Sequence, residues 1–316
     1  MSQPAHLVVG PDGHGVTEYA LALAAVADAP VIREEEFSGA PLPAGFIHTT
    51  FTDHLFGPSP DQAVDALLSR VGSRPFSVSF HDIPQPEEGQ ERFARRAPAY
   101  LRLAAACAES GGVAVTNSDH EAHFFRSRGA DVSVVRLPIP RVESTFAPEP
   151  GSVGVLGFLY PGKGYEDLID DLAGTDYRLR FLGSVSSGHE VWADGLLRKA
   201  DAAGLSAAIT GWLTDDELAA EMGRIAVPVC AHTHFSASGS LMTWLGAGRH
   251  VLATDSDYTR EIDTWLPGRI TLVDSSAPGG WAAAVDAFTA TDPAAPPSWT
   301  WDDVAAQWQT LWGSRA

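Results

Sequence analysis

Short apolar runs alternate along the whole chain with stretches whose apolar positions recur at helical spacing. This alternation predicts parallel β-α-β units, because a strand covered on both faces reads as a continuous apolar run and its crossover helix shows one apolar stripe. The first half reads as strand His6 to Val9, helix Val16 to Ala27, strand Val31 to Phe37 and strand Phe46 to Phe51. Helix Pro60 to Val71, strand Phe76 to Phe80 and a long helix over Glu91 to Glu109 follow. Strand Val113 to Thr116, helix Ser118 to Arg128 and strand Val132 to Leu137 complete a doubly wound sheet.

Proline and glycine then cluster in Pro138-Ile-Pro140 and Pro148-Glu-Pro150-Gly151, and proline restricts its predecessor, so a domain linker is expected there. A second series of the same design runs through strands Val153 to Leu156, Leu179 to Leu182, Ala208 to Thr210, Val227 to Cys230, Val251 to Thr254 and Ile270 to Val273. Helices are expected from Tyr165, from Glu190, over Asp215 to Gly223 and over Leu241 to Gly246. Thr214 and Glu217 have the spacing of a capping box, which starts the Asp215 helix sharply. The tail from Pro297 forms an amphipathic helix with Trp301, Val304, Trp308, Leu311 and Trp312 near one face.

Composition narrows the function. At 316 residues and 45% hydrophobic, the chain has material for two packed α/β domains. Its 21 basic against 40 acidic side chains give a net charge of −19, which repels phosphate backbones and anionic lipids and argues against a nucleic-acid partner. The start of the chain has no basic and apolar leader pattern, and no apolar run reaches the ~20 residues that cross a bilayer, so no transmembrane segment and a cytoplasmic location are expected. Cys107 and Cys230 fit neither a disulfide framework nor a zinc cluster and read as small buried hydrophobes.

Five segments carry candidate chemistry. Gly10-Pro-Asp12-Gly13-His14-Gly15 joins the first strand to the first helix, where free amides accept a polar or anionic ligand, but Glu18 stands where a dinucleotide fingerprint needs its third glycine. Gly157-Phe-Leu-Tyr-Pro-Gly162-Lys163 follows a strand and has the spacing of a phosphate loop, with Gly164 in place of the magnesium-holding hydroxyl. His232-Thr-His234-Phe-Ser236-Ala-Ser238-Gly239-Ser240-Leu241 opens a helix with residues that serve either as caps or as a cradle for a diphosphate, and its two histidines lack a third ligand for a metal. His81-Asp82 ends a strand at the carboxyl edge where open α/β sheets place ligands. Arg92, Arg95, Arg96 and Arg102 read as a solvated helix face able to attract an anionic acceptor, and the lack of a Gly-x-Ser-x-Gly elbow removes support for a serine hydrolase.

Taken together, these segments resemble the retaining GT-B nucleotide-sugar glycosyltransferases of the group 1, family 4-like type, over nearly the whole chain. Phe76-Ser-Val-Ser-Phe-His81-Asp82 is similar to the family's strand-end histidine segment, and Gly13-His-Gly15 to its first glycine loop. Val155-Leu-Gly157-Phe-Leu-Tyr-Pro-Gly-Lys163-Gly164 resembles its phosphate segment, Ile209-Thr-Gly211-Trp212 the strand and glycine near the base, and Gly246-Ala-Gly248-Arg-His-Val-Leu-Ala253-Thr254 its late glycine segment. Phe158 stands where the family carries an arginine, and Phe235 and Thr243 stand where it carries paired glutamates.

The resemblance implies two Rossmann-like doubly wound sheets across a cleft. Residues 1–145 would bind the acceptor, residues 146–296 the donor, and the helix of 297–316 would return to the first domain. His81 would lie at the transferred sugar and Lys163 at the leaving diphosphate. Gly157, Gly211, Trp212, His234, Ser238, Gly239, Ser240 and Leu241 would bind the donor, and Asp12, Gly13, His14, Gly15 and Asp82 the acceptor. The implied reaction moves a hexosyl group, mannose or glucose, from a GDP or UDP sugar to a hydroxyl of a small sugar or oligosaccharide, as in polysaccharide biosynthesis. No cofactor beyond the nucleotide sugar and no metal is implied. The alternatives are an inactive module that keeps the fold and binds nucleotide, and an isomerase or epimerase of sugar nucleotides.

Overall fold

The structure, a computed structural model, describes residues 3–233 and 236–314. The chain divides into two compact units, one formed by the residues up to Pro138 together with those from Trp299, the other by Ile139–Ser298.

The first unit runs β1 (Ala5–Val9), α1 (Gly15–Val26), β2 (Val31–Glu34), β3 (Ile47–Phe51), α2 (Asp53–Phe56), α3 (Pro60–Val71), β4 (Phe76–Phe80), α4 (Gln90–Glu109), β5 (Ala114–Thr116), α5 (Asp119–Arg126) and β6 (Ser133–Val134). Its six strands are parallel in the order β2-β1-β3-β4-β5-β6. β3 and β4 are buried at every position, as strands covered on both faces must be. Phe51, Phe80, Tyr100 and Phe125 centre the core.

The second unit runs β7 (Glu149–Leu156), α6 (Tyr165–Asp171), β8 (Arg178–Leu182), α7 (Glu190–Ala202), β9 (Ser206–Ile209), α8 (Asp215–Arg224), β10 (Ile225–Cys230), α9 (Gly239–Gly246), β11 (Val251–Thr254), α10 (Asp257–Trp265), β12 (Ile270–Val273) and α11 (Gly280–Ala287). Its strands are again parallel, in the order β12-β11-β10-β7-β8-β9. The capping box starts α8 as the spacing predicts: the Thr214 amide donates to Glu217 Oε2 at 2.8 Å and the Glu217 amide to Thr214 Oγ1 at 3.4 Å.

The last helix, α12 (Trp301–Gly313), belongs to the first unit. Its Val304, Trp308 and Trp312 bury against Tyr19 and Leu23 of α1 and against Val115 and Val135, and Trp312 Nε1 donates to Ser77 Oγ at 3.1 Å. Each aromatic ring so buried contributes about 2 kcal/mol, which ties the end of the chain to the sheet.

Some boundaries differ from the sequence reading. β2 stops at Glu34 because that carboxylate turns to Arg70 Nη1 at 2.8 Å and to the Ser38 amide at 2.9 Å. β6 retains two residues because it is an edge strand whose one partner, β5, ends at Thr116 opposite Val134. α2 is a single turn, too short to show a period, and α10 and α11 were not anticipated.

Both sheets have a topological switch point. In the first, chain progression reverses between β1 and β3, and in the second between β7 and β10. Loops leaving the carboxyl ends of such a strand pair splay apart, and the crevice between them is where this architecture receives ligands.

Candidate functional site

The first unit's edge is built by the turn after β1, the β3–α2 junction and the end of β4. The His81 amide donates to Phe51 O at 2.9 Å, which locks the end of β4 to β3. Its ring lies 4.6 Å from the Tyr19 ring between centroids, with Nε2 3.4 Å from Ser79 Oγ. Burial, and then the nearby His14, pull the His81 pKa down to about 3, so at neutral pH the ring is an uncharged imidazole that can donate and accept but cannot act as a cation. Asp82 follows at a φ of 52°, the left-handed region that few residues other than glycine adopt.

His14 and His54 meet across this edge with their Nε2 atoms 3.3 Å apart, a contact that requires one proton between the two. Burial, and then His54, lower the His14 pKa, opposed by Asp82. Glu18 folds back so that its Oε1 accepts from the Gly13 amide at 2.9 Å, and the turn satisfies one of its own free amides from within. Gly15 opens α1 on that turn, and Asp12 is exposed in an ion pair with Arg33 at 2.8 Å.

The arginine cluster on α4 is corrected by the structure. Arg92, Arg95 and Arg102 are exposed, but Arg96 is only 3% exposed. It pairs with Asp53 at 3.1 Å, Asp82 at 2.9 Å and Glu88 at 2.8 Å. A buried guanidinium needs this compensation, and its carboxylates come from segments up to 43 residues away in sequence, which helical periodicity could not reveal. Ligand atoms of Asp53, His54 and Asp82 lie within 4.8 Å of one another. Because both carboxylates already share Arg96, the group is first an ion-pair cluster.

The second unit's edge gathers the residues expected to hold a diphosphate. Gly157, at the end of β7, has a φ of 116°, and a Cβ there would lie 3.6 Å from Ser240 Cβ and 4.0 Å from Lys163 Nζ. The bare backbone therefore leaves open the space toward which Lys163 and Ser240 converge. Lys163 Nζ lies 4.4 Å over the Tyr160 ring. Burial lowers the Lys163 pKa to about 8, with Cys230 opposing, so the ammonium is poorly solvated and gains by meeting an anion. The same charge, after burial, helps to keep His232 neutral.

Ser238 caps α9: its Oγ accepts from the Leu241 amide at 3.2 Å and lies 3.1 Å from Ser240 Oγ, while its own amide donates to the Tyr258 hydroxyl at 3.1 Å. The amides of Gly239 and Ser240 open the helix, where no intrahelical acceptor exists and the helix dipole is positive. The Leu241 side chain is fully buried, and its amide is used by Ser238. Gly211 turns at a φ of 76°, and Trp212, 68% exposed, lies 6.3 Å from the Phe158 ring. His234 and Phe235 lie outside the described residues. Cys107 and Cys230 are buried free thiols. Sequence reasoning missed Tyr19, Asp53 and Tyr258 and took Arg96 for a solvated side chain, because their roles depend on contacts distant in the chain.

Two tandem units, each a six-stranded parallel sheet with its loop crevice at a switch point, define the GT-B fold of nucleotide-sugar glycosyltransferases. No family model matches the chain, and no curated protein matches it. Among solved structures, it is similar to Anabaena HepE in complex with UDP-glucose, at 15% identity over 98% of this chain and 99% of that one, with a TM-score of 0.68. It is also similar to the lipopolysaccharide outer core galactosyltransferase WaaB in its apo form, at 12% identity over the whole of both chains, 100% of each, with a TM-score of 0.64. AviGT4, a glycosyltransferase involved in avilamycin A biosynthesis, is 14% identical over 98% of this chain and 97% of that one, with a TM-score of 0.60. At these identities the likeness is one of fold. Among the described residues, no helix is long and apolar enough to cross a membrane.

Proposed function

We propose that this protein is a glycosyltransferase that moves a hexosyl group from a nucleoside diphosphate sugar to a hydroxyl of a small sugar or oligosaccharide with retention of configuration, in the cytoplasm. The observation that carries this reading is the convergence of Lys163, the bare Gly157 backbone and the start of α9 at the second switch point. Departure of a diphosphate needs positive charge held ready where negative charge accumulates, and a desolvated ammonium together with the opening amides of a helix supplies it. In this reading no resident metal is needed. Trp212 and the Gly211 backbone lie against the base, and His81, a neutral imidazole, hydrogen-bonds the transferred sugar. His14, Gly13, Gly15, Asp12 and Asp82 meet the acceptor. Glucose carried on UDP is the donor favoured by the HepE complex, ahead of mannose carried on GDP.

Incubation with UDP-glucose or GDP-mannose and a panel of mono- and disaccharides, read by mass spectrometry, is expected to give a product one hexose heavier, lost on Lys163→Met. Absence of product from every pair would overturn the reading. It would favour a nucleotide-binding module without turnover, an alternative supported by Phe158 and by Thr243, whose hydroxyl donates to Gly239 O of its own helix at 2.9 Å.

A further inference from the structure

The buried guanidinium of Arg96 touches the chain immediately beyond His81. Its Nη2 donates both to the Asp82 carbonyl oxygen and, at 2.9 Å, to Asp82 Oδ2, so one nitrogen holds the main chain and the side chain of the same residue. Arg96 is itself fixed on its other sides. Nε donates to Asp53 Oδ2 at 3.3 Å, Nη2 to Asp53 Oδ1 at 3.1 Å, and Nη1 to both oxygens of Glu88 at 2.8 Å. The Tyr100 ring lies 5.3 Å from its Cζ, and the Tyr100 hydroxyl donates to Asp53 Oδ1 at 3.1 Å. One planar fork on α4 therefore ties together the β3–α2 junction, the turn after β4 and the end of the segment leading into α4.

Asp82 sits at a φ of 52°, a conformation that persists in a non-glycine residue only where its surroundings over-determine it. The surroundings here are Arg96. Ion pairing alone would be served by any cation, but a hold on two atoms of Asp82 and both oxygens of Glu88 needs the planar, multi-donor geometry of arginine and is beyond the reach of a lysine ammonium. We propose that Arg96 is a positioning residue for the His81–Asp82 pair, keeping Asp82 in its left-handed turn so that the His81 ring and the remaining Asp82 carboxylate oxygen are presented at the sheet edge. The value of this device for catalysis rests on the glycosyltransferase reading of His81. The geometry does not.

The test uses the full-length protein and reads the His81 ring by NMR titration, with His6 as internal standard because it is buried in the same unit and burial alone shifts its titration. Arg96→Lys keeps the charge and the helix. It is expected to move the His81 titration upward by at least about one pH unit as the ring loosens toward solvent, leaving His6 in place. Adding Asp82→Gly, which takes positive φ without a clamp, is expected to return the His81 titration toward its original position. A His81 titration unchanged in Arg96→Lys would overturn the proposal. So would one that moves together with that of His6, the mark of general loosening, or one that Asp82→Gly leaves shifted. UDP binding, measured in parallel on the wild-type protein, separates the two ideas: failure of UDP to bind counts against the enzymatic reading, and the His81 readout stands regardless.

Discussion

The proposed diphosphate site makes binding pH-dependent through the state of Lys163. Burial brings its pKa to about 8, so it is charged at neutral pH and largely neutral above about pH 9. A diphosphate bound there would restore the charge by opposing the desolvation, so the nucleotide is expected to bind the protonated protein. With one proton coupled to binding, the apparent Kd rises by a factor of 1 + 10^(pH − pKa), about 30-fold between about pH 7 and pH 9.5, or ~2 kcal/mol. Lys163→Met keeps the length and apolar stem and removes the charge. A lost charge-assisted contact of ~1.5–3 kcal/mol weakens UDP about 10- to 200-fold at neutral pH and flattens the profile. Isothermal titration of UDP into both proteins across this range checks both parts, and the ionisation of UDP itself cancels in the difference. Equal affinity of the two proteins at neutral pH, or parallel profiles at high pH, would refute the placement of the diphosphate at Lys163.

Two further outcomes are expected. His6 is 1% exposed and burial lowers its pKa from 6.5 to about 4, so between those values the unfolded chain binds the proton and the folded one does not; stability is intact above the upper value and lost as pH falls below it, by ~2 kcal/mol at about pH 5. His6→Leu should remove that loss, seen as a smaller drop in urea midpoint between pH 7.5 and pH 5 than in the wild type, and equal drops would contradict it. Gly183 packs its α-carbon so close to the Gly157 carbonyl that a methyl group would clash with backbone, so Gly183→Ala should cost ~1–3 kcal/mol and weaken UDP binding by displacing the Gly157 loop. Denaturant midpoints and UDP titration read these separately, and wild-type values of both would contradict the packing argument.

The fold was legible wherever burial is uniform along a segment. Pro60–Val71, Phe76–Phe80 and Val251–Thr254 occupy the spans their patterns predict, because both faces of each central strand and one face of the helix are covered. Edges were less legible. β2 and β6 end early, where one neighbour rather than two sustains the ladder and where Glu34 turns to Arg70 or the partner strand β5 itself stops at Thr116. On the site, Lys163, Gly157 and Ser240 stood out because a phosphate-loop spacing and a serine-rich helix start lie in contiguous sequence. Arg96 could not, since its neighbours Arg92 and Arg95 share its helical spacing and only Asp53, Asp82 and Glu88 in three dimensions distinguish it. Glu18 shows the converse: its failure to match a dinucleotide fingerprint is explained by the bond its carboxylate accepts from Gly13.

The central claim is that a nucleoside diphosphate binds at the carboxyl edge of the second sheet. A thermal-shift panel of UDP, GDP, ADP and CMP, run on the wild-type protein and on Lys163→Met, tests it most directly, because a ligand that binds only the folded state stabilises it by ~2.7 kcal/mol at about 100 times its Kd. The account predicts that UDP or GDP raises the Tm of the wild type by several degrees and that Lys163→Met loses most of that rise. No rise with any nucleotide, or an equal rise in both proteins, would contradict it.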